Sequence, residues 1–257
     1  MVRSSRFSLS RAFLGASLLA AVVASTGSAA AASHDAGRMD IAAARHQAIG
    51  STVTVDGTVS VPSGTFSSSF SDEGFAIQDR SGAGIYVSTT DNLGLGLKTR
   101  VHVTGVLQDS NGLLTLVPAS SSDVTVKDHG RGPTFPGRFV RTGNVGPRNQ
   151  GSIVTIVGKV TEAVMADGTF GSKLSVDDGS GPVRVFLNTS ANIDSSKLTV
   201  GALVRITGFS GAFDTPELDP RSQRDIRIAD DDDDDGHGNG DDDGHDGHGN
   251  GHGGHHG

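Results

Sequence analysis

The chain spells one unit twice. Phe75 to Val87 reads FAIQDRSGAGIYV and Lys173 to Leu187 reads KLSVDDGSGPVRVFL: an apolar-alternating run, an acidic residue, a Ser-Gly turn and a second alternating run. The likeness continues outside the hairpins. GSTVTVDGTVSV from Gly50 matches GSIVTIVGKVTE from Gly151, RVHVTGVL from Arg100 matches LVRITGFS from Leu203, and DVTVKD from Asp123 matches DIRIAD from Asp225. The offsets, 101, 103 and 102 residues, drift only as loops allow. Whatever fold one copy adopts, the other must adopt too, in about a hundred residues each.

Each copy is a series of short runs rich in Val, Ile and Thr with period-two alternation, broken by Gly, Ser, Asp and Pro, which is the pattern of antiparallel strands. The one helix signal is Asp40 to Ala48, where Asp40 is placed to cap a short helix. Five strands fit each copy: a long first strand with a glycine inside it, Gly57 or Gly158, a hairpin pair around the Ser-Gly turn, the VTG or ITG strand, and a closing strand. A glycine lets the first strand turn a corner and serve both sides of a small barrel. The pattern therefore predicts an all-β chain of two tandem five-stranded Greek-key barrels of the OB type. A two-sheet sandwich is the competing architecture, but it calls for about seven strands per hundred residues.

The two ends are of different composition. Arg3, Arg6 and Arg11, an apolar Ala12 to Ala24 and a small-residue Ala30-Ala31-Ala32 predict an export signal over residues 1–32 and a secreted or periplasmic product, free of the membrane after cleavage. The chain has no cysteine, so no disulfide framework holds it. Residues 230–257 hold ten Asp, six His and no apolar side chain, and are expected to form a disordered tail. Residues 36–229 carry 18 Lys and Arg against 18 Asp and Glu, so the net charge of -8 belongs to the ends. The organisation expected is barrel 1 over 40–128, a basic connector over 129–150, barrel 2 over 151–229 and the tail.

The ordered series ARHQAIGSTVTVDGTVSV, FAIQDRSGAGIYV, LKTRVHVTGVL, then TGNVGPRNQGSIVTIVGKVTE, LSVDDGSGPVRVFL, LVRITG and LDPRSQRDIRI resembles the tandem OB-fold domains found beside extracellular nuclease and lamin-tail modules in secreted bacterial proteins. The resemblance covers about Ile41 to Ile228. It implies an OB fold, association with nucleic acid and, since no nuclease module is attached, service to a separately encoded nuclease.

Little in the chain points to catalysis. Outside the tail, the histidines His34, His46, His102 and His129 have no ligand spacing, and there is no nucleophile elbow, P-loop or cysteine nucleophile. Asp177-Asp178 opens a turn, where Asp is favoured for bonding to backbone amides. The chain reads as a non-enzyme that requires no cofactor. Alternation sends Lys173, Ser175, Arg184 and Phe186 outward from barrel 2 and Tyr86 outward from barrel 1, making Tyr86 and Phe186 equivalent by sequence. That face of an OB barrel takes single strands by stacking bases on aromatics; the plainer reading is that an outward aromatic packs against the connector or the other barrel. The connector carries Arg131, Arg138, Arg141 and Arg148 with Phe135 and Phe139 and no acid, the composition of a strap over a polyanion or of a solvated linker.

Nucleic acid or a similar polyanion is thus the expected partner. The alternative is an adhesive or structural module contacting protein or glycan. The tail is read first as a solubilising segment. Its His237, His245, His248, His252, His255 and His256 suit Zn or Ni, and Asp231, Asp233, Asp235, Gly236 and Asp242 imitate a Ca loop.

Overall fold

A computed structural model describes residues 37–229. The expected export signal and the tail, with its six histidines, lie outside the described residues. After the capped turn α1 (Ile41–Ala44), the first half contains β1 (Thr52–Val61), β2 (Phe75–Gln78), β3 (Gly84–Val87), β4 (Arg100–Ser110), β5 (Leu113–Val117) and β6 (Val124–Asp128). The second contains β7 (Arg138–Phe139), β8 (Ile153–Asp167), β9 (Gly171–Asp177), β10 (Val183–Asn188), β11 (Leu203–Phe213), β12 (Thr215–Asp219) and β13 (Ile226–Ile228). Asp40 caps α1 by accepting from the Ala43 amide at 2.6 Å.

In the first sheet β1, β2, β3, β5 and β4 pair in that order and β4 returns to β1, closing a five-stranded barrel. The β3–β5 pairing is parallel and the rest are antiparallel. Inside it lie Val53, Val55, Val59, Phe75, Ile77, Ile85, Val87, Val103, Leu107 and Leu116. β1 serves both sides as its glycine allows: it pairs with β4 through Thr58 and with β2 from Thr58 onward, just past Gly57. A Cβ at Gly57 would meet the Ile77 side chain at 2.8 Å, so the corner admits no side chain.

The second sheet repeats these pairings strand for strand: β8–β9, β9–β10, β10–β12, β12–β11 and β11–β8, with β10–β12 parallel. β8 changes partner at Lys159, just past Gly158. The core here is Val154, Ile156, Val160, Leu174, Val176, Val183, Val185, Leu187, Val204, Ile206 and Leu218.

Two expectations need correction. The runs DVTVKD and DIRIAD contribute β6 and β13, edge strands beyond the five-strand cycle, laid on the first half of β4 and of β11; the strand that completes the cycle is β5 or β12. The connector is also not one linker, because from Arg138 it is the N-terminal arm of the second unit. The Val140 amide donates to the Thr155 carbonyl as that of Met39 does to Thr54. Likewise the Thr142 amide donates to Asp178 and the Ile41 amide to Asp79, the carboxylates that open the two hairpin turns. Each arm latches onto the hairpin of its own copy, so the boundary between copies falls before Arg138.

The halves pack through a third apolar cluster made of Val61, Phe66, Ala76, Tyr86 and Leu113 from the first and Ile153 and Phe209 from the second. The Gln78 side-chain carbonyl accepts from the Ile153 amide at 2.9 Å, while the Gln150 side chain accepts from the Leu114 amide at 3.0 Å and donates to the Gly112 carbonyl at 2.6 Å. Arg45 donates to the carbonyls of Gln150, Pro147 and Gly84. At the centre, a Cβ on Gly84 or on Gly151 would strike the other's carbonyl oxygen.

Because no side chain fits there, Gly84→Ala is expected to force the sheets apart, costing about 1–3 kcal/mol and lowering the calorimetric midpoint; an unchanged midpoint would mean the halves are not joined at that contact. Tyr86→Phe, which removes the hydroxyl bonded to Asp72 at 2.8 Å and to the Phe66 carbonyl at 3.0 Å, should cost about 1–3 kcal/mol in chemical denaturation.

Candidate functional site

The outward face of β2 and β3, the face an OB barrel offers to a single strand, is covered in the first half. Tyr86 does point out of its barrel, but it is 1% exposed, its ring 6.1 Å from that of Phe209. Burial, and then the adjacent Asp72 carboxylate, push the phenol's pKa far up, so the hydroxyl stays a donor. No base can stack on Tyr86 while the halves are together. Of the two readings of an outward aromatic, packing against the other half is the one Tyr86 takes.

The register corrects a second expectation. Tyr86 pairs across to Ala76 and lies beside Thr115 of β5; the residue so placed in the second half is Arg184, opposite Ser175 and beside Glu217 of β12. Phe186 lies two residues further along. The turn accounts for one of those two residues: seven residues separate the paired Ile77 and Ile85, and six separate Val176 and Val183. The turns themselves are alike. Asp79 accepts from the Ser81 amide at 2.9 Å, and Asp178 from that of Ser180 at 2.9 Å. Asp178, held by the hydroxyls of Ser180 and Thr142, is brought down to about 2. Both acids of the Asp177-Asp178 pair are committed to the turn, Asp177 accepting from Gly179 and Gly181.

On the second half's hairpin, Lys173, Ser175, Arg184 and Phe186 face outward as alternation requires, with Lys173 opposite Phe186. The two cations are already engaged. Lys173 Nζ lies 3.2 Å from Asp167, and Arg184 lies 2.8 Å from Glu217 while donating to the Phe213 carbonyl at 2.7 Å. Beside them Asp219 is buried, and around the hairpin Phe170, Met165 and Phe213 are exposed, Phe170 at 74%. This face is apolar and acid-leaning, which suits a polyanion poorly.

Free cations gather on the arm. Arg138, Arg141 and Arg148 are exposed, stand outside the ion pairs found among the described residues, and line one open groove of about 770 Å³ with Phe139, Val140, Asn144 and Pro147. β7 sets their direction by pairing in parallel with β8, and the bond from Thr142 to Asp178 anchors the far side. Arg131 is exposed but lies before the arm and outside this groove. Phe135 packs partly against the interface cluster, whereas Phe139 is 61% exposed with the guanidinium of Arg205 at 4.8 Å over its ring. Arg205 and its cross-strand neighbour Arg227 were not singled out from sequence; the outward positions of LVRITG and DIRIAD carry the signal. Among the described residues no three His, Asp or Glu are grouped to hold a metal.

Burial, and then Glu217, push the Asp219 carboxyl well above the ordinary carboxylate range, with Arg184 opposing. Burial also raises Glu217, again against Arg184. For Asp219 the folded state favours the protonated form, so its contribution is fully present below the unfolded pKa of about 3.9 and is lost as pH rises through the higher folded value. Asp219→Asn, neutral at every pH, is expected to raise the unfolding midpoint at pH 7–8 by the equivalent of about 1–3 kcal/mol and to leave it unchanged near pH 3. Equal shifts at both pH values would show that Asp219 is not the titrating group.

No family model matches the chain and no curated protein matches it. Among solved structures, it is similar to an OBody, AM1L10, bound to hen egg-white lysozyme (22% identity, 37% of this chain and 97% of that chain, TM-score 0.30). It is also similar to the S. pombe Stn1-Ten1 complex (24% identity, 30% of this chain and 57% of that chain, TM-score 0.25) and to a Replication Protein A heterotrimer bound to ssDNA (19% identity, 37% and 84%, TM-score 0.28). At these TM-scores the likenesses assign no ligand, and the site stands on its own geometry.

Proposed function

We propose that this chain is an exported, non-catalytic pair of OB-type barrels that binds single-stranded nucleic acid, or a polymer of similar charge, through the arm of its second half. The reading takes the second sheet's cycle of pairings as a second barrel. The observation that carries it is the row Arg138, Arg141 and Arg148 along one groove, exposed and unpaired among the described residues, with Phe139 beside it. Guanidinium groups in an open groove bind phosphate bidentately, and an exposed ring offers a surface to a base. Tyr86, Lys173 and Arg184 drop out of the binding surface, the first by burial and the others by pairing. A separately encoded nuclease as partner rests on the family resemblance alone.

A second reading has its own observation. Phe170, Met165 and Phe213 stand exposed around the hairpin of β9 and β10 beside paired and buried carboxylates, a surface suited to a neutral glycan or a protein. This is the adhesive alternative, and it uses a different face.

Anisotropy titrations over a salt series separate the two. With a labelled thymidine oligomer, log affinity should fall with log salt by about 0.7 per phosphate neutralised, and Arg138→Ala, Arg141→Ala and Arg148→Ala should each lower that slope by about 0.7. Phe139→Ala should weaken binding by about 1 kcal/mol or more at unchanged slope. Absence of affinity for the oligomer and for an acidic polysaccharide at low salt, with a neutral glycan still bound, would overturn the polyanion reading in favour of the second.

A further inference from the structure

Arg205 and Arg227, outward on β11 and β13, carry positive charge that the pairing of these strands does not balance. Arg205 lies directly opposite Arg227 on one side and Val157 on the other, and Leu203 lies opposite Lys159. Like charges opposite each other on paired strands are unfavourable without a counter-charge. The first half solves the same problem internally. Its register partner for Val157 is Asp56, which faces His102 across β4 with Nδ1 at 2.6 Å and is also ion-paired with Arg38. In the second copy Asp56 has become Val157, His102 has become Arg205 and Arg38 has become Phe139, so the carboxylate is gone and a guanidinium stands where the imidazole was. Asp177 lies opposite Lys159 and accepts from the amides of its turn, and no acid pairs across from Arg205 or Arg227 on these strands.

We propose that the run Asp230–Asp235, which opens the C-terminal tail, lies across this face of β11 and β13 and supplies the missing negative charge. The chain reaches the end of the sheet at the right place: the Ala229 amide donates to the Leu203 carbonyl at 2.9 Å, and Asp230 is the next residue. Asp128, the repeat counterpart of Asp230, pairs with Arg100 at 3.6 Å, and Leu203 stands at the position of Arg100 in the second half. By coil statistics six residues span about 13 Å on average, inside the Debye length of about 30 Å at 0.01 M salt. The six charges therefore stay within the field of Arg205, Arg227 and Lys159 at an effective concentration in the millimolar range. Arg205 also stands over Phe139 of the arm, so an occupied face sets negative charge beside the groove. The consequence, which rests on the polyanion reading above, is that the tail competes with an incoming polyanion.

The test uses the full chain, which has no cysteine of its own, carrying a nitroxide on Gly236→Cys. At low salt the amides of Val157, Lys159, Arg205 and Arg227 should be broadened, while those of Thr125 to Lys127 in the first half should not. The broadening should recede in high salt and in Val157→Asp, which restores the carboxylate that the first half keeps at Asp56. Arg205→Gln with Arg227→Gln should remove it as well, and the spectrum itself reports that each variant is folded. Broadening indifferent to salt and to Val157→Asp overturns the tail contact whatever the oligomer binds. Conversely, changing Asp230–Asp235 to Asn should tighten thymidine-oligomer binding by about tenfold at low salt and far less at high salt. If neither chain binds the oligomer while the broadening responds to salt, the polyanion reading falls and the tail contact stands.

Discussion

Gly84 and Gly151 approach so closely that each carbonyl oxygen occupies the space where the other's side chain would be. Most of the molecule's asymmetry follows from that contact. It presses the start of β8 against the hairpin of β2 and β3, turning a surface that an isolated barrel would offer to ligand into an interior. Tyr86, Ala76 and Gln78 become buried, and Gln78 and Gln150 become the means by which amides and carbonyls of one half are satisfied by the other. Buried polar groups must find partners, and here they find them across the junction, so the two copies make up one body.

Once one copy covers the hairpin face of the other, the duplicated positions no longer serve the same purpose. Where Tyr86 fills the junction beside Thr115, Arg184 reaches Glu217; where Asp56 joins His102 and Arg38, Val157 leaves Arg205 to stand over Phe139. In the first half Arg38 and His102 join Asp56, and Arg45 donates across the junction. The second carries unpaired guanidinium groups along its arm and along β11 and β13. A single backbone pattern thus supports a packing copy and a charged copy, and the difference lies in a few outward-facing side chains.

The fold was legible to the extent that it depends on local rules. Alternation placed Leu174, Val176, Val183, Val185 and Leu187 inside and Arg184 and Phe186 outside, and the glycines at 57 and 158 marked where the first strand of each copy changes partner. The arm was not legible as an arm, because its likeness to residues 37–49 lies in backbone bonds to Asp79 and Asp178 and hardly at all in side-chain identity. The match of Tyr86 to Phe186 failed by two residues along β10, an even shift that keeps the same face and that alternation cannot detect. The burial of Tyr86 depends on a partner surface a hundred residues away. The arm's arginines were visible as composition; that Arg138, Arg141 and Arg148 share a groove and that Arg205 joins Phe139 required the pairing of β7 with β8 and of β8 with β11.

The central claim is that the first half's hairpin face is sealed and that ligand contact falls to the arm of the second. Amide chemical-shift mapping with a thymidine oligomer at low salt tests it most directly. The account predicts that shifts concentrate on Arg138 to Asn149 and on Arg205 and Arg227, with Ala76, Gln78, Tyr86 and Ile153 unmoved. Shifts centred on Ala76, Gln78 and Tyr86 would show that the junction opens to admit ligand, and would contradict it.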